Sequence, residues 1–149
     1  MSTHSLANPV LQLLLSIPQC RTQVLMALFP SSSLKNSPDC LAFIDKIVYD
    51  TVGSHLMEKI LAKPEKSFMS TFDSKLLKSL FKNYFQSRIL ELCDHPLSNF
   101  VLQALLPSLE KEEHVKSILD TLLPRLYDLV FGRHGNRMGV LVRIVEVSV

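Results

Sequence analysis

Leu97-Ser98-Asn99-Phe100-Val101-Leu102-Gln103-Ala104-Leu105-Leu106 is the stretch on which the fold turns. On the helical period of about 3.6 residues, Asn99 and Gln103 lie one turn apart on one face with Phe100 beside them, while Val101, Leu102 and Leu105 point the other way. The segment is therefore a helix built for burial on one side. Its other side carries two amides and an aromatic ring, groups suited to a flat, hydrogen-bonding object.

The same frame recurs. His4-Ser-Leu-Ala-Asn8-Pro-Val-Leu-Gln12, Asp50-Thr-Val-Gly-Ser54-His-Leu-Met-Glu58, His95-Pro-Leu-Ser-Asn99-Phe-Val-Leu-Gln103 and His134-Gly-Asn-Arg-Met138-Gly-Val-Leu-Val142 align without gaps. The first motif residues run from 8 to 54, 54 to 99 and 99 to 138, steps of 46, 45 and 39 residues. Periods of this size belong to stacked helical arrays, in which neighbouring units bury one another's apolar faces. Met57, Leu102 and Leu141 fall at equivalent core positions.

Between the motifs, apolar spacing predicts helices over 8–17, 19–29, 40–49, 54–62, 73–93, 97–106, 114–123 continuing through 125–131, and 138–147. A turn-rich loop at 30–38 precedes Asp39, a candidate cap for the third helix, and Pro64, Pro107 and Pro124 punctuate the later ones. Only four Gly and no sustained alternation of apolar and polar residues argue against a sheet. Lys75, Lys78, Lys82 and Arg88 read as outward, solvated charges on the long helix. The expected fold is one all-α domain over 1–149, a solenoid with a partial unit at 1–18 and units at 19–63, 64–108 and 109–149.

At 149 residues and 47% apolar content the chain can bury a substantial core. Sixteen basic against fourteen acidic residues leave +2, which neither demands nor excludes nucleic acid. Cys20, Cys40 and Cys93 stand far apart with no Cys-x-x-Cys, so they read as reduced, buried thiols. The N-terminus lacks a basic leader, and the apolar run from Val10 to Leu15 is too short to span a bilayer. The expectation is an intracellular, soluble chain with no metal, no cofactor and no small-molecule substrate. No nucleophile motif, phosphate loop or placed carboxylate pair is present, so it does not read as an enzyme.

The helix signature Asn/Ser-aromatic-x-x-Gln/Glu after a short turn resembles the Pumilio (PUF) repeat, and the resemblance covers nearly the whole chain as three and a half units. The stretch Leu-Tyr-Asp-Leu-Val-Phe-Gly-Arg-His-Gly-Asn-Arg at 126–137 is similar to the divergent nucleolar branch of the family, the Pumilio-like Nop proteins of small-subunit ribosome assembly. The resemblance implies a right-handed α-solenoid of Pumilio-type repeats that holds single-stranded RNA on a concave surface, one base per repeat. Its RNA would be a ribosomal precursor in 18S rRNA maturation, its place the nucleolus or nucleus, and its other partners pre-ribosomal proteins.

The resemblance carries base-edge contacts to Asn8 and Gln12, Ser54 and Glu58, and Asn99 and Gln103, and stacking to His55 and Phe100. The chemistry is coherent: two amides satisfy a uracil's imide edge, and the Glu58 carboxylate accepts from the two donors of guanine. By the family's code the units would read uracil, guanine, uracil from 5′ to 3′, with the RNA antiparallel to the protein. Pro9 is a poor stacking surface, and Met138, Gly139 and Val142 offer the fourth unit no reading groups. Lys59, Arg133, Arg137 and Arg143 are the candidate phosphate contacts, with ordinary solvated charge the alternative for each.

Taken singly, each polar motif residue is also an ordinary helix-surface position, and His55 and Phe100 equally fit a seam between helices. His4, His95, His134 and Asp94 read as helix-end caps rather than metal ligands or acids. A second functional reading is a protein-binding scaffold of HEAT or armadillo type without base readout. Unpaired apolar positions such as Val10, Leu13 and Val140 further suggest a piece of a longer array, which in isolation would self-associate or be only marginally stable.

Overall fold

The computed structural model describes residues 6–30, 37–62, 70–109, 111–132 and 137–148, and among these there is no strand. The helices are α1 (Ala7–Ser16), α2 (Pro18–Leu28), α3 (Pro38–Val48), α4 (Thr51–Leu61), α5 (Thr71–Leu80), α6 (Ile89–Asp94), α7 (Ser98–Leu105), α8 (Glu112–Leu122), α9 (Leu126–Phe131) and α10 (Met138–Ser148). The four motif helices form a row in which α1 packs on α4, α4 on α7 and α7 on α10. A second layer backs the row, with α2 against α1, α3 against α4, α6 against α7 and α8 against α10.

Local chemistry sets the helix starts. Pro18 and Pro38 open α2 and α3, where a missing N–H costs nothing. Ser37 is the N-cap of α3, and Asp39 lies in the first turn rather than at the cap the sequence suggested. The Asp50 carboxylate accepts from the Val52 and Gly53 amides at 2.9 and 2.7 Å, starting α4 three residues before the expected Ser54. Ser70 and Asp73 cap α5 reciprocally, the Ser70 hydroxyl taking the Asp73 amide at 3.1 Å and Asp73 taking the Ser70 amide at 3.0 Å.

The long run expected at 73–93 is a chain of four pieces. After α5, residues Phe81–Phe85 form a π-helical turn and Gln86–Arg88 a 3-10 turn before α6. The break is pinned to α3: the Tyr84 hydroxyl donates to Asp45 at 2.6 Å, and Arg88 pairs with the same carboxylate while lying 4.7 Å from the Tyr84 ring centre. Arg88 is therefore a tether and not the free outward charge its position suggested.

The core is continuous through both layers. Leu56, Met57, Ile60 and Leu61 from α4, Val101, Leu102 and Leu105 from α7, and Val140 and Ile144 from α10 are buried in it beside Phe81, Tyr84 and Phe85. Fully burying a side chain of this kind contributes about 1.5–3 kcal/mol, so the row is held chiefly by its shared apolar faces. Of the three equivalent core positions, Met57 and Leu102 are fully buried and Leu141 is half-buried. Gly53 is required by the approach of α3 and α4, since a Cβ there would stand 2.7 Å from the Ile47 carbonyl oxygen.

Candidate nucleic-acid interface

The motif helices α1, α4 and α7 divide their signature residues between the seam and the open face. The first residues, Asn8, Ser54 and Asn99, are 0%, 3% and 0% exposed, whereas Phe100 in the second place is 46% exposed. His55 is also exposed, and Gln12, Glu58 and Gln103 in the fifth place are half-buried at the edge. The sequence expected first and fifth residues to share one accessible face; the structure turns the first inward.

Asn99 shows why. Its Nδ2 donates to the carbonyl oxygens of His95 and Pro96 at 3.0 and 2.8 Å, holding the turn that enters α7. Its Oδ1 accepts from Gln103 Nε2 at 3.1 Å. The His95 Nδ1 accepts from the Leu97 and Ser98 amides at 3.2 and 3.3 Å, so this histidine caps the helix as the sequence suggested. Asp94 instead ends α6 and pairs with Arg125. Gln12 donates to Asn8 in the same manner on α1, and the Ser54 hydroxyl donates to the Thr51 carbonyl at 3.3 Å.

The open face is consequently built from the fifth and second residues. A glutamine that has given one N–H to the asparagine behind it still offers its carbonyl oxygen and a second N–H, the pair that a uracil edge requires. Glu58 lies 3.3 Å from His55 Nδ1, so carboxylate and imidazole sit side by side on α4. Between α4, α7 and α10 runs a groove of about 480 Å³ lined by Glu58, Phe100, Gln103 and Arg143, with Ala104 and Pro107 along its wall. An acid, a ring, an amide and a guanidinium thus border one space. A separate hollow between α5 and α8, of about 20 Å³, is too small for more than a water.

The four candidate phosphate contacts separate. Lys59 is exposed in the last turn of α4, and Arg143 is exposed on α10, 2.7 Å from Glu146. Arg137 is 6% exposed and donates to the Asp94 backbone carbonyl, which removes it from the surface. Arg133 lies outside the described residues, as do His4 and His134.

One group that holds the site was not singled out in the sequence. Arg21 on α2, 4% exposed, donates to the Lys59 and Ile60 carbonyls at 3.1 and 2.8 Å, capping the C-terminus of the helix that carries Glu58. Its Nε stands 3.6 Å from the buried Asp73 carboxylate. Burial lowers the Arg21 pKa, and the Asp73 charge opposes that shift. A signal did exist: Arg21 is one turn from Leu25, on the face that Leu25 and Phe29 bury.

Among the described residues no cluster of His, Cys, Asp and Glu could hold a metal ion, and no helix is long and apolar enough to cross a membrane. The three cysteines are free, Cys93 buried and Cys20 and Cys40 half-buried. Burial, reinforced by Asp94, pushes the Cys93 thiol up to about 11.

A two-layer stack built on a row of equivalent helices, two of which, α4 and α7, set an acid or amide beside an imidazole or ring, is a helical-repeat solenoid. The chain belongs to the family of NOP9-like PUF repeat domains, whose family model matches residues 1–149. It is 27% identical over 158 residues to the Nucleolar protein 9 of Arthroderma gypseum, covering 100% of this chain and 21% of that protein. It is 30% identical to that of Ajellomyces dermatitidis, with 100% and 21% covered, and 29% identical to that of Scheffersomyces stipitis, with 100% and 20% covered. The chain therefore spans about a fifth of the length of these curated relatives. No solved structure matches it significantly.

Proposed function

We propose that this chain forms part of a nucleolar RNA-binding array that holds single-stranded ribosomal precursor RNA along the open face of α1, α4 and α7 during small-subunit (18S) rRNA maturation. The observation that carries the reading is the groove in which Glu58, Phe100, Gln103 and Arg143 meet, because these groups match a base edge, a base face and a phosphate. The names of the relatives, Nucleolar protein 9, support the nucleolar setting. In this reading Gln12, Glu58 and Gln103 meet base edges, and His55 and Phe100 meet base faces. Asn8, Ser54 and Asn99 act one layer back, Asn99 by fixing the turn into α7 and Asn8 and Asn99 by holding the glutamine of their helix. Stacking on Phe100 or His55 supplies roughly 1–3 kcal/mol per base. Lys59 and Arg143 meet phosphates, and each such contact adds about 0.7 to the slope of log affinity against log salt for a single strand.

The test is equilibrium binding of short RNAs containing uracil-guanine-uracil, with each position varied in turn at fixed salt. Ser54→Asn combined with Glu58→Gln gives the middle unit the backing and reading amides of the third and should turn its guanine preference into uracil. An unchanged preference overturns the base-by-base assignment, and affinity that ignores sequence throughout favours a protein-binding scaffold instead. One observation supports a protein contact at the α10 end, with a pre-ribosomal protein as the partner: Met138 and Val142, in the places of Asn99 and Gln103, are 43% and 51% exposed.

A further inference from the structure

Gly139 occupies the second motif place of the fourth unit, where the preceding units carry His55 and Phe100. The space a side chain would fill is taken. A Cβ on Gly139 would stand 2.6 Å from Oε1, 2.7 Å from Nε2 and 2.8 Å from Cδ of Gln103, all well inside van der Waals contact. Gln103, on α7, therefore rests its terminal amide on the bare backbone of α10. From its own helix it is held by Asn99, whose Oδ1 accepts from Nε2 at 3.1 Å.

We infer that Gly139 is a specificity-determining position of this interface: by presenting no side chain, it sets where the Gln103 amide lies and so which hydrogen-bonding edge the third unit offers. The inference rests on the reading of Gln103 as a base contact. Gly139 is the second residue of α10, where helix propensity gives glycine no advantage over alanine. The atoms a methyl would meet belong to the far end of a flexible side chain, so alanine is accommodated by swinging Gln103 aside, not by parting α7 from α10. The swing breaks the alignment with Asn99 and moves both the free carbonyl oxygen and the remaining N–H.

The perturbation thus separates recognition from stability, since Gly139→Ala should leave the melting temperature unchanged or raised. The experiment measures fluorescence-anisotropy titrations of the full chain with short RNAs carrying each of the four bases opposite the third unit, for wild type, Gln103→Ala and Gly139→Ala. Thermal melts and the Gln103 side-chain amide signals in nitrogen-15 correlation spectra accompany them. Gly139→Ala is expected to shift those amide signals and to cut the base preference at that position by about tenfold, equivalent to ~1.4 kcal/mol, while the position facing Glu58 is unaffected. If Gln103→Ala loses the preference and Gly139→Ala retains it, or if the amide signals do not move, the inference is overturned and the base-reading function stands. If Gln103→Ala itself changes nothing, Gln103 is not a base contact and both fall together.

Discussion

Replacing Asn99 with alanine removes three hydrogen bonds from a side chain with no exposed surface: two donated to the His95 and Pro96 carbonyls and one accepted from Gln103. The His95 carbonyl keeps a second donor, the Asn99 amide nitrogen at 3.3 Å, so it is not stranded. With a net contribution of about 0.5–1.5 kcal/mol per bond, and more where a buried group is left unpaired, the expected destabilisation is roughly 2–3 kcal/mol. For a chain of this size that corresponds to a fall in melting temperature of about 4–12 °C. The measurement is chemical and thermal unfolding of the RNA-free protein, followed by far-ultraviolet circular dichroism. Gln103→Ala is the control: a half-buried residue at the edge should cost less than about 1 kcal/mol while reducing base preference. Asn99→Asp sharpens the test, because it keeps an oxygen for Gln103 but aims an acceptor at two carbonyls. It should be at least as destabilising as alanine near neutral pH, and acid should partly relieve it as the carboxyl gains a proton. An unfolding midpoint for Asn99→Ala equal to wild type, accompanied by weakened RNA binding, would refute the placement of Asn99 behind the site and return it to the base edge.

Asp73→Ala strands the buried Arg21 guanidinium and is expected to cost about 3–5 kcal/mol in urea unfolding; Arg21→Met with Asp73→Leu should recover much of that loss, and additivity of the two single changes would show that the pair is not coupled. The Cys93 thiol, raised to about 11, is held protonated more firmly in the folded chain than the unfolded value of about 8.5. Its contribution is therefore complete below that unfolded value and lost as pH climbs toward 11; wild type should lose stability over this window more steeply than Cys93→Ala, and parallel curves would contradict it. Leu6, Val10 and Leu13 on one flank, and Val142 and Val145 on the other, are more than half exposed, so the chain should show concentration-dependent mass in analytical ultracentrifugation. Val10→Lys with Val145→Glu should reduce the association, and a monomer at every concentration would argue against it.

The helical array was legible because burial imposes a period, and that period is written in the sequence itself: Leu56 and Val101, in register in the motif, are both fully buried, whereas Val140, which the sequence left unpaired, is buried against its neighbours in the fold. Motif register likewise identified the row of helices that shares a face, and the resemblance named the family. What register could not divide was that face, because Asn99 and Gln103 at consecutive turns are equivalent on a helical wheel. Only the turn beneath α7 decides between them, since the His95 and Pro96 carbonyls draw the Asn99 amide inward and leave Gln103 at the edge. Charged residues were misread for the same reason. Arg88 and Arg137 look like surface cations along the chain, but Asp45 on α3 and the carbonyl ending α6 consume them, and those partners are about forty residues away. Tertiary structure alone shows that Gly139, apparently a lost stacking residue, is the floor on which Gln103 lies, because a glycine's role is set by what occupies the volume its missing side chain leaves.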